Sequence, residues 1–396
     1  MKTALWLYLF LFLAFFDLHA QYPVLTPFAL SLGAGPAFIG WMMGMYSLTH
    51  LPGNLLAGVL IDRKGSRRYI VFSLTAAGLI LLLQAHAQLP WHLLLLRAAS
   101  GFALAFLSPA CMTLLASLSS DATVQGKYMS GHGIVHTLAS VVSPAAGAFI
   151  VAKAGFSGTF STLGWLLIAT GIMAYFSVPK HSAAAGAYPL LPSKQNAGTH
   201  IQQGSGMQKL DFSKRFLLLP FFVSCSQGIL FFEFPLSKSG ETGGGILSTG
   251  LLLSLLSLGA LLTLSMVFLN RVAPVSRIAF ALLGMAFCFF SLATFRSLPA
   301  GLILFMLGSA KGVLFPAMAS LFISLAGPGR LGRTFSLQSI AMSLGAFAGP
   351  VTAGATREYV SPYFVAFLIL MTALLLLPGG RESRISSAPN WNENAA

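Results

Sequence analysis

Apolar runs of about twenty residues recur along this 396-residue chain, separated mostly by short polar or basic connections. A bilayer's hydrocarbon core is about 30 Å thick, so roughly twenty helical residues cross it. No water reaches the backbone there, and a helix satisfies its own N–H and C=O groups. The runs predict six helical spans near residues 4–30, 38–60, 69–87, 92–118, 129–151 and 160–178. Six more follow near 216–236, 246–269, 278–295, 300–325, 335–355 and 363–378. Between the two sets, 179–215 is rich in Ala, Gly, Ser, Gln and Lys without apolar periodicity. It reads as a flexible cytoplasmic linker, and 379–396 as a disordered cytoplasmic tail. The expected organisation is an N-terminal six-helix bundle over 1–178 and a C-terminal one over 216–378.

The halves repeat. Pro109-Ala110 is followed by Leu114, Ser117 and Leu118, and Pro316-Ala317 by Leu321, Ser324 and Leu325, at an offset of 207. Pro144 matches Pro350 at 206, and Asp62-Arg63 matches Asn270-Arg271 at 208. Three nearly equal offsets in the same order predict an all-α membrane protein of two pseudo-symmetric bundles around a central cavity, a plan typical of secondary transporters.

Composition agrees: 56% of residues are apolar and 8% charged, against about a quarter charged in soluble domains. The net charge of +14 suggests a nucleic-acid partner until the charges are located. With the N-terminus inside, the cytoplasmic segments hold 17 of the 23 Lys and Arg and the outer connections only 4. That is a positive-inside signature; no nucleic-acid partner is expected, and both termini should be cytoplasmic in a cell membrane. The first run mimics a secretory signal, but Leu18-His19-Ala20 is a poor cleavage site and Asp17 interrupts its approach, so an uncleaved first helix is expected. Cys111, Cys225 and Cys288 are odd in number and lie in apolar runs, which argues against a disulfide framework.

The loop after the second span reads Gly58-Val59-Leu60-Ile61-Asp62-Arg63-Lys64-Gly65-Ser66-Arg67-Arg68. It resembles the G-x-L-x-D-R-x-G-R-R/K signature of the major facilitator superfamily, departing at Ser66. The fourth span carries Arg97-Ala98-Ala99-Ser100-Gly101, similar to the family's R-x-x-x-G motif. The fifth carries Ser143-Pro144 and Gly147, and the eleventh Gly345, Gly349-Pro350 and Gly354, resembling the antiporter motif G-x-x-x-G-P-x-x-G-G with Ser143 replacing the leading glycine before the proline in the fifth. In this reading Gly58 lets its helix approach a neighbour, and Gly65 permits a sharp turn. Asp62 forms a cytoplasmic latch with a helix N-terminus or basic residues, and Arg63, Arg67 and Arg68 complete the conformational motif. The resemblance covers the whole chain and implies a twelve-span drug or metabolite:proton antiporter.

Four ionisable side chains fall at hydrocarbon depth: Asp17, Arg97, Glu233 and Lys311. Such groups are functional candidates by default. At 1.5 Å of rise per residue, Asp17 and Arg97 reach a similar level and can pair, either as a structural lock or as a group that titrates during transport. Lys311 falls near the midplane; Glu233 sits near the outer end of its helix, where snorkelling could serve it. Gln21, Tyr22, His50 and Asn54 are candidate cavity contacts. His132 and His136 could share a face but make no metal site by themselves, and solvation at the inner boundary is their expected state. Gly243-Gly244-Gly245 lacks a following Gly-Lys-Ser/Thr, so there is no phosphate loop. The expectation is a monomeric, cofactor-free secondary transporter, not an enzyme, exporting a small organic molecule in exchange for protons. A proton-coupled importer and a non-transporting membrane sensor are the alternatives.

Overall fold

The computed structural model describes residues 2–119, 121–179, 216, 218–239, 245–266, 272–295, 298–326 and 331–377. The expected linker from 180 onward, the tail at 379–396 and the Asn270-Arg271 pair lie outside the described residues. Within them there is no strand, and thirteen helices make twelve crossings. α1 (Lys2–Ala20) and α2 (Tyr22–Ser31) form the first, α3 (Pro36–Lys64) the second and α4 (Ser66–Gln84) the third. α5 (Pro90–Leu104) and α6 (Leu107–Ser117) share the fourth. α7 (Ala122–Ser177) supplies the fifth and sixth, broken at Gly155, whose φ is 70°. α8 (Leu219–Lys238), α9 (Gly245–Ser265), α10 (Pro274–Thr294), α11 (Ala300–Ala326), α12 (Leu331–Thr356) and α13 (Pro362–Leu375) complete the second half.

The first and fourth crossings, expected as single helices, are each interrupted. Proline has no N–H for the carbonyl four residues back, and its ring crowds that turn. Pro23 follows the α1–α2 break at Gln21, and Pro109 follows the α5–α6 break at Ala105-Phe106. On length and composition alone, eight segments are apolar enough to cross a membrane, one of them the 48-residue stretch Ser130–Ser177. α3 and α12 are absent from that set; they carry the polar residues of the interface between halves. Outward faces are apolar: Leu95, Trp165, Phe176 and Phe280 are 63–79% exposed, as lipid contact requires.

Packing repeats with the sequence. In the first half, α7 lies on α1, where Gly147 meets the Ala20 carbonyl, and on α9 of the other half, where Pro144 and Ala148 meet Gly250. In the second half, α12 lies on α8, where Gly345 and Gly349 meet the Phe221 and Cys225 carbonyls, and on α3, where Pro350 meets Gly40 and Gly354 meets Pro36. Ser143, at the position matching Gly349, is buried and gives its hydroxyl to Ala139 O at 2.6 Å. The fifth crossing therefore holds the first and eighth, and the eleventh holds the seventh and second.

One motif glycine is not where close approach occurs. Nothing lies within 4 Å of a Cβ built on Gly58. Gly53, Ala57 and Ile61 are the buried stripe of α3, and Gly58, one residue on, is turned about 100° from it. Gly53 makes the contact instead: a Cβ there would come within 2.6 Å of Ala105 Cβ and 3.0 Å of Phe102 O. Gly65 ends α3 at φ 82°, a left-handed conformation that other residues adopt only with strain.

Gly349→Leu is expected to destabilise the protein by about 1–3 kcal/mol or more, as overpacking of a tight interior does. Gly58→Ala should leave stability unchanged or slightly raised. Thermal unfolding of the purified protein in detergent checks both; an unchanged midpoint for Gly349→Leu would contradict the packing.

Candidate functional site

A cavity of about 570 Å³ lies between the halves. Tyr22, His50 and Asn54 line it, together with His132, His136 and Ser343. Its walls come from α1, the start of α2, α3, the end of α5, α6, α7, α8 and α12, on the parts nearer the face that carries Lys2 and the Asp62–Arg68 turn. The close contacts between halves fall toward the opposite face: Gly40 with Pro350, Gly44 with Phe347, Gly354 with Pro36, and Gly250 with Pro144. At mid-depth Tyr22 of α2 stacks on Phe231 of α8, with ring centroids 4.2 Å apart. The cavity is thus open on the Lys2 side and shut beyond the Tyr22–Phe231 stack.

Asp17 and Arg97 come to one level, but no direct ion pair joins them. Gln21 stands between: its Nε2 donates to Asp17 Oδ1 at 2.9 Å, and its Oε1 accepts from Arg97 Nη1 at 2.9 Å. This corrects the assignment of Gln21 to the cavity wall. It is four residues after Asp17, one helical turn, so the same face serves both, and both hydrogen bonds hold it away from the opening. All three side chains are buried, and Asp17 Oδ2 and Arg97 Nε have no hydrogen-bond partner among the described residues. The guanidinium also lies 4.6 Å over the Tyr46 ring. Tyr46 and His50 rings stand 5.7 Å apart, and His50 Nδ1 meets Asn54 Nδ2 at 3.2 Å. One line of polar contacts therefore runs from the cavity wall on α3 through Arg97 and Gln21 to Asp17.

Glu233 does not snorkel. It is buried, and Arg357 Nε donates to its Oε2 at 2.9 Å and its Oε1 at 3.3 Å. The pair joins α8 to the end of α12 within the second half, on the closed side. Burial without a partner would leave an uncompensated charge, and Arg357, just past α12, is in reach to prevent it. Lys311 lies between the Phe231 and Phe315 rings, its Nζ 5.9 and 5.8 Å from their centroids.

The histidines are more central than their spacing suggested. His19 gives Nδ1–H to Phe15 O at 2.7 Å, and its ring meets Tyr22 at 5.5 Å and His136 at 5.2 Å. Phe15 in turn packs on His132 and His136 at 5.5 and 4.6 Å. His132 and His136 therefore face α1 and the cavity, not the inner boundary. The i, i+4 spacing was the available signal; which way that face pointed depended on how α7 packs. Among the described residues no group of three or more potential ligands is disposed to hold a metal.

On the Lys2 side, Asp62 and Arg63 are exposed, and Asp62 makes no hydrogen bond or ion pair among the described residues. The latch expected of it is not formed here, because this is the face on which the cavity is open. Arg67 is engaged instead, donating Nη2–H to Tyr175 O and lying 4.8 Å over the Tyr175 ring. Arg68 is exposed.

Residues 7–350 match the family model described as Major Facilitator Superfamily. The chain is 26% identical over 356 residues to a multi-drug resistance efflux pump PmrA homolog of Lactococcus lactis, covering 86% of this chain and 84% of that protein. It is 29% identical over 220 residues to the inner membrane transport protein YajR of Escherichia coli, covering 54% of this chain and less than half, 44%, of that protein. The crystal structure of the nucleoside transporter NupG superposes with a TM-score of 0.71 at 14% identity, over 95% of this chain and 98% of that one. At that identity the likeness shows the fold. With twelve crossings, a repeated half and a cavity between the halves, the chain belongs to the Major Facilitator Superfamily and is a multi-pass membrane protein.

Proposed function

We propose that the protein exports a small organic molecule from the cytoplasm in exchange for protons, by alternating access, acting as a monomer in the cell membrane with both termini cytoplasmic. The observation that carries this reading is the buried line Asp17–Gln21–Arg97 beside a cavity open on one side only. A carboxylate oxygen that is buried and unpartnered, as Asp17 Oδ2 is, is where a proton can sit. Arg97 reaches that carboxyl through Gln21 when the line is intact. Opening the opposite face requires α3 and α12, and α7 and α9, to part at their glycine contacts. Movement of α3 carries Tyr46 relative to Arg97, and so couples the cavity wall to the carboxylate.

The basic face is the cytoplasmic one by the positive-inside rule, and the cavity opens to it, so substrate would load from inside. A relative named as an efflux pump supports the same direction. An inward gradient supplies about 2.3 kcal/mol per charge per 100 mV, enough to drive export without nucleotide hydrolysis. Glu233–Arg357 would hold α8 and α12 together on the outer side as the halves move.

Asp17→Asn is expected to abolish pH-gradient-driven flux in proteoliposomes while leaving substrate-dependent stabilisation in place; gradient-driven transport surviving it would remove Asp17 as the coupling group. Gln21→Leu deletes both hydrogen bonds and should lower stability by about 1–3 kcal/mol for the buried partners it strands; an unchanged unfolding midpoint would show that the line is not structural. Ser343→Cys in the cavity should react with a membrane-impermeant thiol reagent from the cytoplasmic side and not from outside, against a background of three buried native cysteines. Equal labelling from outside in the absence of substrate would contradict the orientation.

A further inference from the structure

This inference rests on the transporter reading above and concerns the chemical class of what is carried. Of the four charges expected at hydrocarbon depth, three are engaged. Asp17 and Arg97 share Gln21, and Glu233 is paired with Arg357 at 2.9 Å. Lys311 has neither a hydrogen bond nor an ion pair among the described residues. Only the faces of Phe231 and Phe315, near 6 Å, attend its ammonium, at the outer limit of useful cation–π attraction. A lysine ammonium is a compact, strongly hydrated charge, and aromatic faces replace little of that hydration.

The groups around it add to the requirement. His19 of α1 and His136 of α7 lie within electrostatic range of Lys311, and their rings meet at 5.2 Å. No carboxylate among the described residues forms an ion pair with Lys311. Lys311 comes from α11 in one half, the imidazoles from the other, and they converge about the Tyr22–Phe231 stack. That stack is where the cavity ends, since Tyr22 and His136 line it. An ammonium, two imidazoles and aromatic rings, with no carboxylate paired to the ammonium among the described residues, form a place that an anion would complement.

We propose that Lys311 is an anion-binding group on the transport path and that the carried molecule is an organic monoanion with an aromatic or apolar body. The anionic oxygens meet the Lys311 ammonium once the Tyr22–Phe231 stack loosens to admit the ligand. The apolar body lies against Phe231, Phe315 and Tyr22. Because the ammonium is a point charge and not a planar fork, it suits a single carboxylate or sulfonate and gives no preference for bidentate geometry.

The test uses purified full-length protein at one uniform pH, with 2-naphthoate, 2-naphthamide and 2-naphthylmethylammonium as probes matched in shape. Binding is read by thermal stabilisation and by equilibrium titration. The acid should bind about tenfold tighter than the amide or more, the scale of a charge-assisted hydrogen bond, and the ammonium weakest. Lys311→Met should bring acid and amide within about twofold, with amide affinity retained, and Lys311→Arg should restore the preference. Lys311→Gln replaces the Met variant if that one does not fold. Acid and amide binding alike to the native protein, or neither binding, would overturn the proposal, as would a preference that survives loss of the lysine. No gradient is present, so failure of proton coupling is separable: Asp17→Asn should keep the acid preference whether or not it transports.

Discussion

Backbone meets backbone where α7 and α12 cross to the opposite half, because at those crossings almost no side chain stands between. Gly40 against Pro350, Gly354 against Pro36 and Gly250 against Pro144 leave no room for one methyl group. In a lipid solvent, helices gain little from burying more hydrocarbon and associate through close packing and local polar contacts. The glycine contacts are therefore what holds the halves together, and they are confined to one side. The cavity on the other side follows from them. Among the described residues these contacts contain no ion pair, and one pair of large rings, Trp41 on Phe347 at 5.5 Å, packs beside them, so they can separate as units.

Ionisable groups buried in that arrangement depend on one another for partners. Asp17, Gln21 and Arg97 satisfy one another across two helices, with one carboxylate oxygen left over. Glu233 and Arg357 are satisfied as a pair and belong to one half, which suits a part that travels intact. Lys311 is supported by aromatic faces alone. These three states of satisfaction match three proposed roles: a site that changes its proton, a fixed brace, and a site that waits for a ligand. Asp62 adds a fourth state, exposed and without a partner while the face it would latch is open.

Much of the fold was legible because bilayer thickness sets a length that the apolar runs report directly. The repeat showed through Pro109 and Pro316, and through Pro144 and Pro350, since prolines that bend matching helices keep matching positions. The breaks at Gln21 and Ala105 were not foreseen, although Pro23 and Pro109 were there to announce them. Side-chain partnership was harder. Helical spacing put Gln21 on the face of Asp17, yet only the level of α5 relative to α1 shows that it bridges to Arg97 and leaves the cavity. Arg357 was counted as an outer-loop charge; nothing in a linear reading brings it back onto Glu233. Gly58 belongs to a motif, but the buried stripe of α3 runs through Gly53 and Ala57, and a residue one step away faces elsewhere. His132 and His136 had the right spacing, and only the packing of α7 on α1 turned them inward.

The central claim is that the Asp17 carboxyl changes its protonation as the cavity fills and empties. Infrared difference spectroscopy on the reconstituted protein reads that event directly, through the carboxyl C=O stretch as pH is stepped with and without a bound solute. The account predicts a protonated-carboxyl band that moves or disappears with the solute and is missing from Asp17→Asn. A band that persists unchanged in Asp17→Asn, or no band in the native protein at any pH where it transports, would contradict it.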